Sequence, residues 1–411
     1  MNFEYFIAKR IISAKEYKNS VSAPIIKIAI ASIIIGFVTM LISIASSVGL
    51  QKKIHEKVSA FNGDIIISNF DTNFSSDSQN PISKNQDFYP EFSSVEGIKH
   101  IQATASKGGI IRTATDFEGI VIKGVGSDYD WSFFQDVLVE GTLPDYRSNL
   151  NEDILISEYL AKRLHLKLGD KAITYFLRRD SSKPPRSRSF VISGIYNSGF
   201  QEFDDKFVIA DIRHIQKLNK WTKDEIGSFE IFINDFKKID EIGNSVYEET
   251  GSFLDSQTVK DKYYSIFRWI ELFDFNVALI IGIMILVAGI NMITALLVLI
   301  LERTQMIGVL KALGSNDKSI RKIFLYNAIY LIGKGLFWGN LIGIGLLLLQ
   351  KQFKLIKLDP SVYYVTEASV YISFTNIFLL NLGTLVLCLL MLLIPSFLIS
   401  KIAPVKAIRF E

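Results

Sequence analysis

Residues Leu301 to Arg321, LERTQMIGVLKALGSNDKSIR, form a polar, basic stretch held between two long apolar runs. Val277 to Leu301 before it and Ile323 to Leu349 after it each exceed the ~20 largely apolar residues that cross a bilayer. Two more runs, Ile25 to Leu50 and Phe374 to Ile399, bring the expected spans to four.

Lysine and arginine orient these spans. Lys9, Arg10, Lys15, Lys18 and Lys27 precede the first, Arg303, Lys311, Lys318, Arg321 and Lys322 fill the loop after the second, and Lys401, Lys406 and Arg409 follow the fourth. Such residues concentrate on the cytosolic side, so both termini and the short loop are expected there. By parity, about 220 residues between the first two spans lie outside, as does the loop from Lys351 to Ser373. The first run is too long for the ~7–15-residue core of a signal peptide, and it is expected to stay as a span.

With 45 Lys and Arg against 42 Asp and Glu, the net charge of +3 points to no polyanionic partner such as nucleic acid. The one cysteine, Cys388, falls inside the fourth span, so the external region is expected to fold without a disulfide. At its length a core of its own is feasible.

That external region reads as mixed α and β. Short β-rich runs bounded by turn residues are Asp64 to Ser68, Gly119 to Val125, Asp153 to Ser157, Asp170 to Phe176, Ser189 to Tyr196, Lys206 to Ala210 and Ser228 to Asn234. Helical runs alternate with them: Ser157 to Leu166 with Ser157 as N-cap, Asp211 to Asn219, and Asp235 to Thr250. From Val259 the helical pattern runs unbroken into the second span, which would join domain and membrane rigidly. Asp71 to Asp87, rich in Ser, Asn and Asp, reads as a surface loop.

Catalytic signatures are missing from the sequence. No phosphate-cradling loop ends in Gly-Lys-Ser/Thr, His55, His100, His165 and His214 lack metal-ligand spacing, and no nucleophile elbow or His-Glu-x-x-His helix occurs. The chain is therefore expected to be no enzyme, with no catalytic residue, metal or cofactor of its own. Energy-consuming work would need ATP and Mg bound by another subunit.

Within the opening segment, Met306, Val309, Leu310 and Leu313 fall at i, i+3, i+4 and i+7 and make one apolar face of a short helix. Glu302, Arg303, Gln305 and Lys311 take the other side. Gly314 suits a helix end, and Ser315 can cap a new helix whose first turn holds Asp317. Periodicity alone leaves two readings open: a helix resting at the headgroups, or a lever docked on a cytosolic partner.

The segment from Leu301 to Leu325 resembles the coupling-helix signature of FtsX-like, MacB-type permeases of ABC transporters, E-R-(T/R)-x-E-I-G-x-L-R-A-L-G, which docks on a partner ATPase. Gln305-Met306 departs from the acidic pair usual there. The opening YFIAKRIISAK resembles that family's amphipathic elbow helix, and IPSFLISKIAPVKAIRFE its closing segment. The resemblance assigns coupling to Glu302, Arg303, Met306, Ile307, Gly308, Leu310, Lys311, Ala312, Leu313 and Gly314. It implies an α-helical membrane protein with four transmembrane helices plus an α+β periplasmic domain of MacB-core type between helices one and two.

The corresponding plan has an elbow helix at 1–22, the first span at 23–50, the periplasmic domain at 51–270 with an inserted subdomain at about 127–222, and the second span at 271–301. A coupling loop at 302–321, the third span at 322–350, a periplasmic loop at 351–373, the fourth span at 374–400 and a cytosolic tail at 401–411 follow.

Three segments, Ile154 to Phe176, Phe190 to Leu218 and Leu358 to Ser373, are similar to the lipoprotein-releasing (LolC/LolE) branch. That branch implies extraction of lipoproteins from a bacterial inner membrane, with an ABC ATPase subunit, a second permease (the same chain or a relative), a periplasmic lipoprotein carrier and lipoprotein cargo as partners. A MacB-like exporter and an FtsX-like signalling or scaffold subunit are the alternatives. Three acyl chains of about 14 CH₂ groups, at ~0.8 kcal/mol each, hold a lipoprotein in the bilayer by roughly 30 kcal/mol. That exceeds the ~20 kcal/mol ceiling of non-covalent affinity, so the chains must be sheltered from membrane to carrier.

Ser32, Gly36, Thr39 and Ser43, with Ser46 and Ser47, give the first span a small, weakly polar face that either packs on another helix or lines a lipid entry. Trp269, Phe273 and Phe275 form either an interfacial belt or a lipid contact. Lys334, deep in the third span among glycines, must face the protein interior or a wet gap, or snorkel to the interface.

LRRDSSKPPRSRSF, Leu177 to Phe190, joins two expected strands as a basic hairpin. It is either a solvated tip or, by the resemblance, a hook that grips the carrier through Arg178, Arg179, Lys183, Pro184, Pro185, Arg186 and Arg188.

Overall fold

The computed structural model describes residues 3–13, 22–70, 79–177 and 184–401. Its contacts divide the chain into two units: Met1–Gln51 with Trp269–Lys357 and Glu367–Glu411, and Lys52–Arg268 with Leu358–Thr366.

Among the described residues, four helices are long and apolar enough to cross a membrane: Ala23–Asn62, Tyr264–Glu302, Asp317–Phe353 and Phe374–Ser400. The helix carrying the first runs unbroken from Ser22 to Asn62. At ~1.5 Å per residue it is about 60 Å long, twice the ~30 Å hydrocarbon core. Its one proline, Pro24, sits in the first turn, where the missing N–H has no helical partner to lose.

Close backbone approach holds these spans together. Gly335, Gly339 and Gly343, one turn apart on the third span, face Ile33, Phe37 and Leu41, one turn apart on the first. Three buried apolar side chains thereby sit directly on helix backbone, the packing that small residues permit where no hydrophobic driving force acts. Polar ties add to it. Asn291 Nδ2 donates to Ser32 Oγ at 2.6 Å, and Asn340 and Asn381 exchange two amide hydrogen bonds of 2.8 and 3.1 Å between the third and fourth spans.

The second unit is built on a mixed sheet. Its strands are β1 (Ile65–Asn69), β2 (Ile82–Ser83), β3 (Ile98–Arg112), β4 (Phe117–Val125), β5 (Leu138–Gly141), β6 (Asp153–Ser157), β7 (Lys171–Phe176), β8 (Arg186–Tyr196), β9 (Phe207–Asp211), β10 (Glu225–Ile226), β11 (Ser228–Ile233) and β12 (Leu254–Thr258). Ten of them run in the order β12-β1-β11-β3-β4-β9-β6-β8-β5, with β7 pairing both β3 and β8. That double pairing closes β3, β4, β9, β6, β8 and β7 into a ring. Among the described residues, β4–β9 and β6–β8 are the parallel pairs, while β2 and β10 form a separate two-stranded ladder.

The expected helices form with the capping that their sequence dictates. Ser157 caps Glu158–Arg163, its hydroxyl accepting from Leu160 N, and Asp211 caps Ile212–Asn219 through Arg213 N. Asp235 caps a short 3-10 turn, Phe236–Lys238, that leads into Ile239–Glu249.

Two expectations are corrected. The helix from Val259 is not continuous: it stops at Lys262, Tyr263 leaves helical geometry at φ −110° and ψ 42°, and Tyr264–Glu302 starts anew. Asn316, not Ser315, caps the third span, its side chain accepting from Lys318 N. Within the expected loop before the fourth span, Leu358–Thr366 belongs to the sheet unit. Of the expected loop Asp71 to Asp87, residues 71–78 lie outside the described residues, and Ile82 and Ser83 are paired strand.

A charged pair sits in the core of this unit. Lys123 of β4 is 1% exposed, and its ammonium donates to Glu230 of β11 at 2.8 Å and to the Phe61 carbonyl at 2.7 Å. Gln102 also donates to Glu230, at 2.9 Å, so the carboxylate is enclosed by donors. Burial pushes the Lys123 ammonium below its ordinary range, against the opposing pull of Glu230. Nearby, Asn62 Oδ1 accepts from Lys262 Nζ at 3.1 Å and from Tyr263 OH at 3.0 Å. The end of the first long helix is thereby tied to the residues that open the second.

Candidate functional site

The segment that resembles a coupling helix folds as a helix, Thr304–Ala312, between the second and third spans. Ile307 and Gly308 are buried, and Met306 and Leu310 pack against Ala8 and Ile11 of the helix Phe3–Ser13 and against Ile323. Ser319 donates to Glu4 at 2.7 Å and the Tyr5 ring meets Tyr326 edge-on at 6.0 Å, so this N-terminal helix is fastened along the start of the third span. Lys311 pairs with Asp317 at 2.9 Å and donates to the Ile399 carbonyl at 2.9 Å, while the Arg321 guanidinium lies 4.2 Å from the Phe397 ring.

The apolar face read from periodicity is therefore divided. Met306 and Leu310 turn inward because the N-terminal helix covers them. Glu302, Gln305, Val309, Ala312, Leu313 and Gly314 stay exposed, with Leu313 at 78%, and Arg303 and Lys311 are half-buried. Gly314 turns the chain in the left-handed region, φ +92°, which suits glycine and ends the helix.

In the hairpin, Arg178, Arg179 and Lys183 lie outside the described residues. Pro184 and Pro185 are exposed. Arg186 is engaged at the base, where its guanidinium donates to the Leu218 carbonyl at the end of helix Ile212–Asn219, and half-buried Arg188 donates to Ser187 O at 3.3 Å. Arg186 thus fastens the hairpin to that helix, while Arg188 bonds the carbonyl of its own neighbour.

The SGFQEFDD stretch, Ser198 to Asp205, builds a tight joint. Asp204 accepts from Ser198 Oγ at 2.7 Å and Gly199 N at 3.1 Å, and burial raises its carboxyl to about 6 although these donors and Lys57 oppose the shift. Lys57 Nζ then donates to the Gly199 carbonyl at 3.0 Å and the Tyr364 carbonyl at 3.4 Å, with the Phe200 and Tyr364 rings stacked at 5.1 Å. This joint is what draws Leu358–Thr366 into the sheet unit, and nothing in the local pattern of either segment announces it.

An apolar cleft of about 470 Å³ opens between the first, second and fourth spans, walled by Val48, Ile281, Ile285, Leu380 and Leu387 with Ser47, Asp274, Asn376 and Thr384 at its polar places. None of Ser32, Gly36, Thr39, Ser43, Trp269 or Phe273 lines it. Ser32 is bonded to Asn291, Gly36 packs on Met284, the Thr39 hydroxyl returns to the Ile35 carbonyl at 2.9 Å, Ser43 is half-buried, and Trp269 and Phe273 pack on each other at 4.7 Å. Of the small residues on that face of the first span, Ser47 reaches the cleft, while Ser32 and Gly36 meet the second span. Lys334 is exposed on the third span, with no partner among the described residues.

Residues 28–245 match the MacB-like periplasmic core domain and residues 278–404 the FtsX-like permease C-terminal region. The chain is 25% identical over 263 residues to the lipoprotein-releasing system transmembrane protein LolC of Haemophilus influenzae, a match covering 63% of this chain and 64% of that protein. It is 22% identical over 443 residues to the LolC of Neisseria meningitidis, covering 100% of both, and 21% identical over 424 residues to the Haemophilus LolE, covering 99% of both. In the Haemophilus LolC match, then, the chain spans just under two thirds of its relative's length.

Proposed function

The chain belongs to the MacB-like periplasmic core domain family, and on that premise we propose that it is the transmembrane permease subunit of an ATP-driven lipoprotein-releasing complex. It extracts outer-membrane-destined lipoproteins from the bacterial inner membrane and hands them to a periplasmic carrier. The spans orient with both termini cytosolic and the sheet unit, inserted between the first two spans, in the periplasm, as the lysine and arginine distribution favours.

The observation that carries this reading is the coupling helix. One side of it is fastened into the spans and the N-terminal helix, while Gln305, Val309, Ala312 and Leu313 remain open on the other. A short helix held so firmly, with an apolar residue as exposed as Leu313, fits a docking site for an ABC ATPase that binds ATP and Mg. The relatives named for lipoprotein release supply the cargo class. Four spans are too few to enclose a path for three acyl chains, so a second permease, this chain or a related one, completes the complex.

Purification from native membranes tests the proposal. An ATPase, a second permease and a triacylated protein are expected to co-purify. An outer-membrane channel in place of the lipoprotein would make the chain an exporter of the MacB kind, and absence of any ATPase would overturn ATP-driven transport.

A further inference from the structure

We propose that the cleft between the first, second and fourth spans holds one acyl chain of a membrane phospholipid with a cationic amine headgroup, and that Asp274 is the headgroup contact. The inference rests on the orientation proposed above, which sets the Asp274 end of the cleft at the outer face of the membrane.

Size comes first. The cleft measures about 470 Å³. A methylene takes up about the 30 Å³ share of a water molecule, so one sixteen-carbon chain needs roughly 480 Å³. One chain of a two-chain lipid fits, with the other left in the bilayer.

The lining is also graded along the second span, where Asp274, Val277, Ile281 and Ile285 follow one another about a turn apart. On the fourth, Asn376, Leu380, Thr384 and Leu387 descend from the same end, with the Thr384 hydroxyl as one polar atom among apolar side chains. From Asp274 to Ile285 the helix rises about 16 Å, polar at one end and apolar at the other. A lipid has the same gradient.

Charge selects the headgroup. Gln51 donates to Asp274 Oδ1 at 2.7 Å, which fixes the carboxylate, while Oδ2 accepts from none of the described residues. A fixed carboxylate at the mouth of an apolar cleft attracts an ammonium and repels an anionic headgroup, and low polarity nearby strengthens both effects. The Asn376 amide beside it can serve the phosphate.

Gly383 supplies the decisive variant. It lines the cleft, and a Cβ built on it meets nothing within 4 Å, so Gly383→Leu fills the space without a clash inside the chain. The full-length chain, with Gly383→Leu and Asp274→Asn forms, is purified in mild detergent from membranes containing phosphatidylethanolamine and phosphatidylglycerol, and bound lipid is counted by native mass spectrometry. The expected result is one phosphatidylethanolamine per wild-type chain, at least tenfold over phosphatidylglycerol. Gly383→Leu should lose it, and Asp274→Asn should keep a lipid but lose the headgroup preference. An identical lipid complement in all three forms, or an acylated protein in place of the phospholipid, overturns the proposal. Failure of the lipoprotein-release reading would show separately, as missing ATPase and cargo in native membranes with these lipid counts unchanged.

Discussion

Gly339 of the third span lies against the ring of Phe37 in the first, so close that a Cβ on Gly339 would stand 3.0 Å from Phe37 Cδ1. The same approach recurs a turn to either side: a Cβ would lie 2.7 Å from Ile33 Cγ2 at Gly335 and 2.8 Å from Leu41 Cδ2 at Gly343. Gly339→Leu is expected to destabilise the spans by about 1–3 kcal/mol or more, the cost of overpacking. Gly345 faces open space, and Gly345→Leu should leave the midpoint unchanged. Thermal unfolding of the full chain in detergent measures both.

Leu313→Asp and Val309→Asp alter exposed positions of the coupling helix. They should abolish ATPase co-purification while leaving thermal stability within about 0.5 kcal/mol of the wild type, as surface changes do. Met306→Asp should instead destabilise the chain by loosening the N-terminal helix. Equal loss of stability in all three variants would remove the distinction between docking face and anchored face.

Removing one member of the buried pair leaves the other charged and unpaired. Lys123→Met is expected to cost about 3–5 kcal/mol, and adding Glu230→Leu should recover much of it, since well-packed apolar replacements of buried pairs are often neutral. A double variant no better than the single one would show that the hydrogen bonds to Phe61 and Gln102 matter more than the charge balance. Denaturant unfolding of the three forms makes the comparison.

Asp204 carries a pH dependence with a definite sign. Its carboxyl titrates near 3.8 when free and at about 6 in the fold. Between those values the folded chain holds a proton that the unfolded chain has lost, so this group makes stability fall as pH rises from 4 to 6, by at most about 1.4 kcal/mol per unit. Protection factors of the amides around Ser198 and Gly199 in the full chain, taken relative to the intrinsic exchange rate at each pH, should fall across that window. In Asp204→Asn they should no longer change with pH, and a persisting fall would point to another group.

Charge reversal at Arg178 and Arg179 tests the hairpin. Because Arg186 is engaged with the Leu218 carbonyl, Arg178 and Arg179 are the arginines to alter, and Arg178→Glu with Arg179→Glu should reduce carrier pull-down at least tenfold. Intact pull-down at moderate salt would mean that the hairpin does not grip the carrier.

The spans and their polar connector were legible because runs of twenty apolar residues have few other uses, and β-branched runs such as DILIS and KFVIA marked their strands. β3 was not legible. Its buried apolar residues are Ile101, Ala103, Ala105 and Ile111, and Gln102 and Thr104 between them are buried too, so its hydrophobic alternation is faint although it forms the longest of these strands. β12, LDSQT, is polar and exists through its pairing with β1. The cleft draws on three helices separated by up to some 340 residues, and the covering of Met306 depends on Ala8 and Ile11 nearly 300 residues earlier. Local spacing gives the face of a helix and cannot say which half of it a distant segment will hide.

The packing of Leu358–Thr366 into the sheet unit bears on how that unit folds. The backbone passes between the two units four times, at Gln51–Lys52, Arg268–Trp269, Lys357–Leu358 and Thr366–Glu367. Two crossings lie within continuous helix, while the other two flank the segment clasped by Lys57. The sheet unit is therefore not one unbroken stretch of chain: its last piece arrives some 90 residues after Arg268, and the site that Lys57 and Phe200 offer stays unfilled until it does.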